Sequence, residues 1–243
     1  ASANSLFAKP AVRYTTQHLT DVFYAEGAAA ADVNQDGKVD IIYGPHWYAG
    51  PDWKVAHAIY EAKPFKPDND YSKNFVAYAQ DLNGDKFPDY LVLGFPGDWA
   101  YWFENPQGKD QPWVRHDVLK VLDNESPTWA DITGDGKPEI VGSSGGFFGF
   151  AAPGADPTKE WPFQKISNIN AAGGKFTHGL GVGDVNGDGR PDLLEKNGWW
   201  EQPADARTEW PQHKAAFSNQ GGSQMFAYDF DGDGDNDVQI GRA

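Results

Sequence analysis

Apolar residues along this chain come in short runs, each closed by Gly, Pro, Asn or Asp. Runs of that length and boundary predict β-strands and turns. Residues 12–19 alternate and are rich in β-formers, which predicts a strand carrying Tyr14 and His18. Then an order of four runs repeats. Residues 27–32 are small and lead into an acidic loop, 39–43 leave it as an apolar run, and 46–51 and 53–60 follow. The second unit has 75–81, 90–94, 100–106 and 113–119; the third has 127–131, 139–142, 147–153 and 161–166. The fourth has 177–184, 192–194, 198–203 and 210–213, and a fifth pair, 226–229 and 237–240, ends the pattern.

Four strands repeated at a period near fifty residues match the blade of a β-propeller. The expected fold is therefore all-β: four full four-stranded antiparallel blades at about 27–61, 75–120, 126–167 and 177–216, and a partial fifth at 225–240. The blades fill a single domain, 11–243, after a flexible lead-in, 1–10. The first strands are small where a propeller crowds its axis, as at Gly27–Ala31 and at Gly179, Gly181 and Gly183. The fourth strands repeat a Trp and a His: Trp53/His57, Trp113/His116 and Trp210/His213, with Trp161/Gln164 a weaker copy and Tyr14/His18 the same signature at the start. Two closures stay open. The stray strand 12–19 joins the last pair in a five-bladed ring, or the chain is one part of a larger ring, because an open ring leaves an exposed sheet edge.

The loops between first and second strands carry the candidate chemistry. Asp184-Val-Asn-Gly-Asp-Gly-Arg-Pro-Asp192 sets oxygen side chains at positions 1, 3, 5 and 9 and Gly189 at position 6. The pattern recurs from Asp32, Asp81, Asp131 and Asp229, with first-Asp spacings of 49, 50, 53 and 45 residues. The expected ligands are Asp32, Asn34, Asp36 and Asp40; Asp81, Asn83, Asp85 and Asp89; and Asp131, Thr133, Asp135 and Glu139. Asp184, Asn186, Asp188 and Asp192, then Asp229, Asp231, Asp233 and Asp237, complete the set. Position 7 offers a backbone carbonyl at Lys38, Phe87, Lys137, Arg190 and Asp235. Hard oxygen donors without His or Cys select Ca²⁺, up to five ions, over zinc or copper, and Mg²⁺ fits less well because it keeps its waters. One such loop is an ordinary Asx turn; five in register argue for metal. Lys86 replaces the glycine in the second loop and Thr133 the Asn or Asp in the third, so the fourth and fifth loops are expected to bind best.

Charge fits that reading. The chain has 20 basic and 35 acidic residues and a formal charge of −15. The first four loops hold three carboxylates each and the fifth holds five, so 17 of the 35 acids sit there. Such a surface argues against nucleic acid or an anionic membrane as partner, and no apolar run is long enough to span a membrane. There is no Cys. The start Ala1-Ser-Ala-Asn has the small residues left by signal-peptide cleavage, which points to export.

Asp-x-Asn-x-Asp-Gly-x-x-Asp ahead of a β-run, repeated at this period, resembles the FG-GAP/VCBS repeat family, related to the integrin α-subunit propeller. The resemblance runs from Gly27 to Ile240. Trp47-Tyr-Ala-Gly-Pro51, Trp102-Phe-Glu-Asn-Pro106 and Trp199-Trp-Glu-Gln-Pro203 are similar to third-strand motifs of its bacterial members. It implies Ca²⁺ held in the hairpin of each blade, a structural role for the ion, and a secreted, cell-surface or periplasmic place. Such relatives usually carry more blades.

Aromatic pairs are the candidates for a ligand. Tyr101/Trp102 and Trp199/Trp200 present flat faces for sugar rings, although regular aromatics also pack between blades. Histidines recurring in register read as structural, whereas His178 lies outside the register in a glycine-rich strand near a propeller face. No nucleophile elbow, P-loop or dinucleotide fingerprint occurs. The function expected is a glycan- or protein-binding module. The alternatives are a polysaccharide lyase or hydrolase on a propeller face, and a subunit of a larger surface assembly in which a partner chain completes the ring.

Overall fold

The structure, a computed structural model, describes residues 13–219 and 222–241. Among them every regular element is a β-strand. The described strands form four sheets, and each contains a four-stranded antiparallel meander in chain order. The first holds β1 (Ala28–Ala31), β2 (Asp40–Tyr43), β3 (His46–Ala49) and β4 (Val55–Ala58). The second holds β5 (Val76–Gln80), β6 (Asp89–Leu93), β7 (Asp98–Glu104) and β8 (Val114–Leu122), with a register shift between β7 and β8. The third holds β9 (Thr128–Ala130), β10 (Glu139–Ser144), β11 (Phe147–Ala151) and β12 (Phe163–Lys165). The fourth holds β13 (Leu180–Gly183), β14 (Asp192–Glu195), β15 (Gly198–Trp200) and β16 (Gln212–Lys214).

Strands in the middle of these sheets are apolar at successive positions because both faces are covered. β6 shows how. Tyr90 and Val92 pack with Ile42, Trp47 and Trp113 toward the first sheet, while Leu91 and Leu93 pack with Trp161 and Ile140 toward the third. β7 divides likewise, with Tyr101 and Phe103 on one side and Ala100 and Trp102 on the other. A third core, with Phe148, Phe150, Leu193, Trp200 and Trp210, joins the third and fourth sheets.

The recurrent Trp of the fourth strand has a specific job. It stands just before the strand, and its backbone N–H reaches the sheet before it. Trp113 donates to the Ile59 carbonyl at 3.0 Å, Trp161 to Val118 at 2.6 Å and Trp210 to Ile166 at 2.9 Å. Trp53, with no sheet before it in the order, takes a left-handed backbone (φ 52°).

Two expectations change. Residues 13–19 form no strand, and Tyr14 is 91% exposed, so this stretch closes no ring in the structure. The stretch pairs with none of the sheet edges, and alternation alone does not hold a strand. Val12 and the lead-in 1–10 lie outside the described residues. The last hairpin, β17 (Gln224–Tyr228) and β18 (Asp237–Ile240), is not a separate sheet. β17 pairs in parallel with β13, so the fourth sheet has six strands. The glycines of β13 make that approach possible. A Cβ on Gly181 would lie 2.1 Å from the Met225 carbonyl oxygen, and one on Gly183 would lie 2.8 Å from Ala227 Cβ.

Gly181→Val is therefore expected to detach β17 from β13, at a cost of about 1–3 kcal/mol. Amide hydrogen exchange should show lost protection at 224–228 while β10 and β11 keep theirs.

Candidate metal centre

All five acidic loops connect the first strand of a unit to the second, and each is drawn together by its own carboxylates. The position 1 Asp receives N–H groups from further along the loop. Asp32 takes Asp36 at 3.0 Å and Gly37 at 2.8 Å; Asp184 takes Gly187, Asp188 and Gly189 at 2.8, 3.1 and 2.8 Å. Asp81, Asp131 and Asp229 repeat this. The position 3 oxygens of Asn34, Asn83, Asn186 and Asp231 accept the position 5 N–H. Position 7 donates its N–H to position 5 throughout, from Lys38, Phe87, Lys137, Arg190 and Asp235 to Asp36, Asp85, Asp135, Asp188 and Asp233.

Two positions in each loop need left-handed backbone. Position 6 has φ of 81°, 85°, 84° and 100° at Gly37, Gly136, Gly189 and Gly234, and 77° at Lys86. Position 4 has it too, at Gly84, Gly134, Gly187 and Gly232, and at Gln35. That second requirement is visible in the sequence, where four of five loops hold Gly at position 4.

Position 9 departs most from a plain ligand. Asp40, Asp89 and Asp192 are fully buried. One oxygen of each accepts the N–H of position 2, from Val33, Leu82 and Val185 at 2.8, 2.8 and 2.9 Å. The other accepts an N–H from just beyond the third strand, from Gly50, Asn105 and Gln202 at 2.7, 2.9 and 2.9 Å. Glu139 instead takes Ile132 and Thr133 on one oxygen. Asp237 takes Phe230 at 3.1 Å.

Among the described residues, carboxylate oxygens converge within 4.8 Å in two loops: Asp131, Asp135 and Glu139, and Asp229, Asp231 and Asp237. In the fourth loop Asp188 pairs instead with Arg190, whose Nε also donates to the Gln202 carbonyl at 2.9 Å. Convergence thus favours the third and fifth loops rather than the fourth and fifth. The donor set, all oxygen and mostly anionic, fits a hard divalent cation. The acids also crowd one another. Burial, with the loop acids adding repulsion, pushes Asp89 and Glu139 up to about 7 and Asp192 up to about 6, against the pull of the backbone donors.

The aromatic candidates do not form one site. Trp102 (0% exposed), Trp200 (2%) and Tyr101 (6%) are packed between sheets, so their faces are not open to stacking except where Tyr101 edges a cavity. The alternation that sends neighbouring strand residues to opposite faces buries both members here, because both faces meet another sheet. Trp199 is half-buried and stacks on His213 at 4.2 Å. Trp47 stacks on His57 at the same distance, and Trp102 lies 4.5 Å from His116. His116 and His213 bond Glu104 and Glu201 at 2.9 and 2.6 Å as clips within their sheets, whereas His57 lies 3.8 Å from Asp110 between β7 and β8. His178 pairs with Glu125 at 3.1 Å, ahead of β13. No helix among the described residues is long and apolar enough to cross a membrane, which says nothing of a β-barrel.

Residues 81–142 match the FG-GAP-like repeat. That stretch runs from the second acidic loop to the exit of the third. No curated protein matches the sequence. A solved structure described as the basis of specific recognition of non-reducing terminal N-acetylglucosamine by an Agrocybe aegerita lectin is similar in fold. The identity is 22% and the TM-score 0.53, over 86% of this chain and 59% of that one. The chain thus spans less than two thirds of that structure's length. The Photorhabdus luminescens Tc holotoxin pore aligns at 16% identity and a TM-score of 0.42, over 87% of this chain and 10% of that one.

Two outcomes are expected. Lys86→Gly should raise stability by about 1 kcal/mol in denaturant titrations, since it relieves a side chain in left-handed backbone. Without divalent cation, Asp89, Glu139 and Asp192 favour the fold most when protonated. Their contribution is full below the ordinary carboxylate range, near pH 4, and is lost as pH rises through 6 to 7. Thermal unfolding in EDTA should therefore show a decline over that window which a divalent cation flattens.

Proposed function

We propose that the chain is a β-propeller-type binding module for saccharides, working outside the cytoplasm, with Ca²⁺ in its acidic loops as a structural ion. The observation that carries this is the fivefold recurrence, in register, of an all-oxygen loop, closed in the first four by a buried carboxylate, Asp40, Asp89, Glu139 or Asp192. One such loop is a turn; five that place acids against one another form a surface whose repulsion a cation relieves. Ca²⁺ suits the donors, and its millimolar level outside cells suits loops of modest affinity. The repeat match over 81–142 supports the same reading. The lectin of similar fold supports a saccharide as ligand.

The four sheets and the terminal hairpin are, on this reading, blades around one axis. A second reading, that the ring is completed by further sheets of a partner, has its own observation. Phe226, Tyr228 and Phe230 are exposed along the last hairpin, an apolar row that another sheet would cover.

Thermal unfolding with EDTA and with 1 mM Ca²⁺ tests the metal. Each loop with a Kd of about 0.1–1 mM should add about 0.4–1.4 kcal/mol, a sizeable part of a domain's stability. An unchanged Tm would reduce the loops to ordinary turns. Light scattering on the same samples decides between a monomer and an assembly. A glycan array, read with and without Ca²⁺, tests the ligand class.

A further inference from the structure

Between the first and second sheets lies a cavity of about 440 Å³, within the usual size of a small-ligand site, about 300–1,000 Å³. Rings of Tyr24, Tyr60, Phe65, Phe103 and Trp113 wall it. Tyr60 lies flat on Phe103, with centroids 4.6 Å apart and planes at 12°, which fixes both rings. Burial pushes the Tyr60 hydroxyl up to about 12, so it stays a neutral hydrogen-bonding group. Asn74 also lines the cavity and is 2% exposed. Its Nδ2 donates to the Tyr90 hydroxyl at 2.5 Å, while its Oδ1 has no partner.

The charge around this cavity runs against the rest of the chain. Lys63, Lys73 and Arg115 line it with one acid, Glu61, in a protein of formal charge −15. Lys73 pairs with Asp98 at 2.6 Å. Arg115 pairs with Asp117 at 2.6 Å and lies 3.7 Å from the Tyr101 ring centroid. Lys63 makes no ion pair among the described residues, and its ammonium stands 5.8 Å from the Phe65 centroid. An unpaired cation beside aromatic rings and the Tyr60 hydroxyl is a set of groups suited to a ligand with an apolar face, hydroxyls and a negative charge.

We propose that this cavity binds an acidic saccharide, its ring against the aromatic wall and its carboxylate at Lys63 Nζ. The proposal rests on the saccharide-binding reading above and adds to it a location and a charge class. A neutral saccharide would leave Lys63 unpaired.

Calorimetric titration with a galacturonate trisaccharide and with an N-acetylglucosamine trisaccharide tests it, on the unaltered chain and on Lys63→Glu. Lys63 is exposed, so the variant should keep its Tm. The acidic trisaccharide should bind the unaltered chain more tightly than the neutral one, weaken as salt is raised, and lose about tenfold or more in affinity with Lys63→Glu. Equal binding of both sugars, or acidic binding indifferent to Lys63→Glu, would overturn the proposal and leave the saccharide reading standing. Binding of neither sugar, with none found on the glycan array, would overturn both.

Discussion

The repeat depends on a buried carboxylate that is held at both oxygens. Asp40, Asp89 and Asp192 each begin a second strand, and each draws one N–H from its own loop and another from beyond the third strand. A buried carboxylate without such donors would cost several kcal/mol. With them, it fixes the loop, the strand start and the third-strand exit in one arrangement. That exit then presents Asn105 and Gln202 to the sheet before. Asn105 Nδ2 donates to the Val33 carbonyl at 2.9 Å, and Gln202 Nε2 donates to Ile132. Where the third sheet has Ala152 at the corresponding place, the reach is missing.

This arrangement carries a tension. The same burial that makes the carboxylate a firm tie opposes its charge, and the open acids of the loop stand on the same side. Hydrogen bonds within the loop shape it without neutralising it. A divalent cation meets the second need and not the first, so loop shape and loop charge are separable properties. The second loop shows the separation. Lys86 keeps the left-handed backbone that Gly supplies elsewhere, and its carbonyl accepts Gln35 Nε2 of the first loop at 2.8 Å.

Much of this was legible in the sequence. The period, the four-run order and the loops gave the sheets with strand starts close to those expected, because each run alternates against turn residues that only a hairpin uses. The sequence also marked the small residues of the first strands, and Gly181 and Gly183 are needed where β17 approaches. What it hid depends on distant partners. Residues 12–19 alternate like a strand, but alternation cannot reveal whether an edge is there to receive it. Trp102 and Trp200 could be read either as packed between blades or as open to a ligand, because a sequence does not say that both faces of a sheet are covered. The tryptophan ahead of each fourth strand was visible as a signature, but its bond to the previous sheet was not. The cavity at Lys63 gathers residues from six separate stretches, none of which was singled out for it.

One set of contacts between sheets has a direction. Trp113, Trp161 and Trp210 reach back through their backbone N–H, and Asn105 and Gln202 reach back through their side chains, always to the sheet earlier in the chain. A chain is synthesised from its N-terminus at roughly 5–20 residues per second. Each sheet therefore leaves the ribosome with carbonyls and an apolar face that only the next sheet can seal. The molecule is completed like a row of shingles, each one fastening the one laid before it, and the interval of exposure is the time taken to make one more repeat.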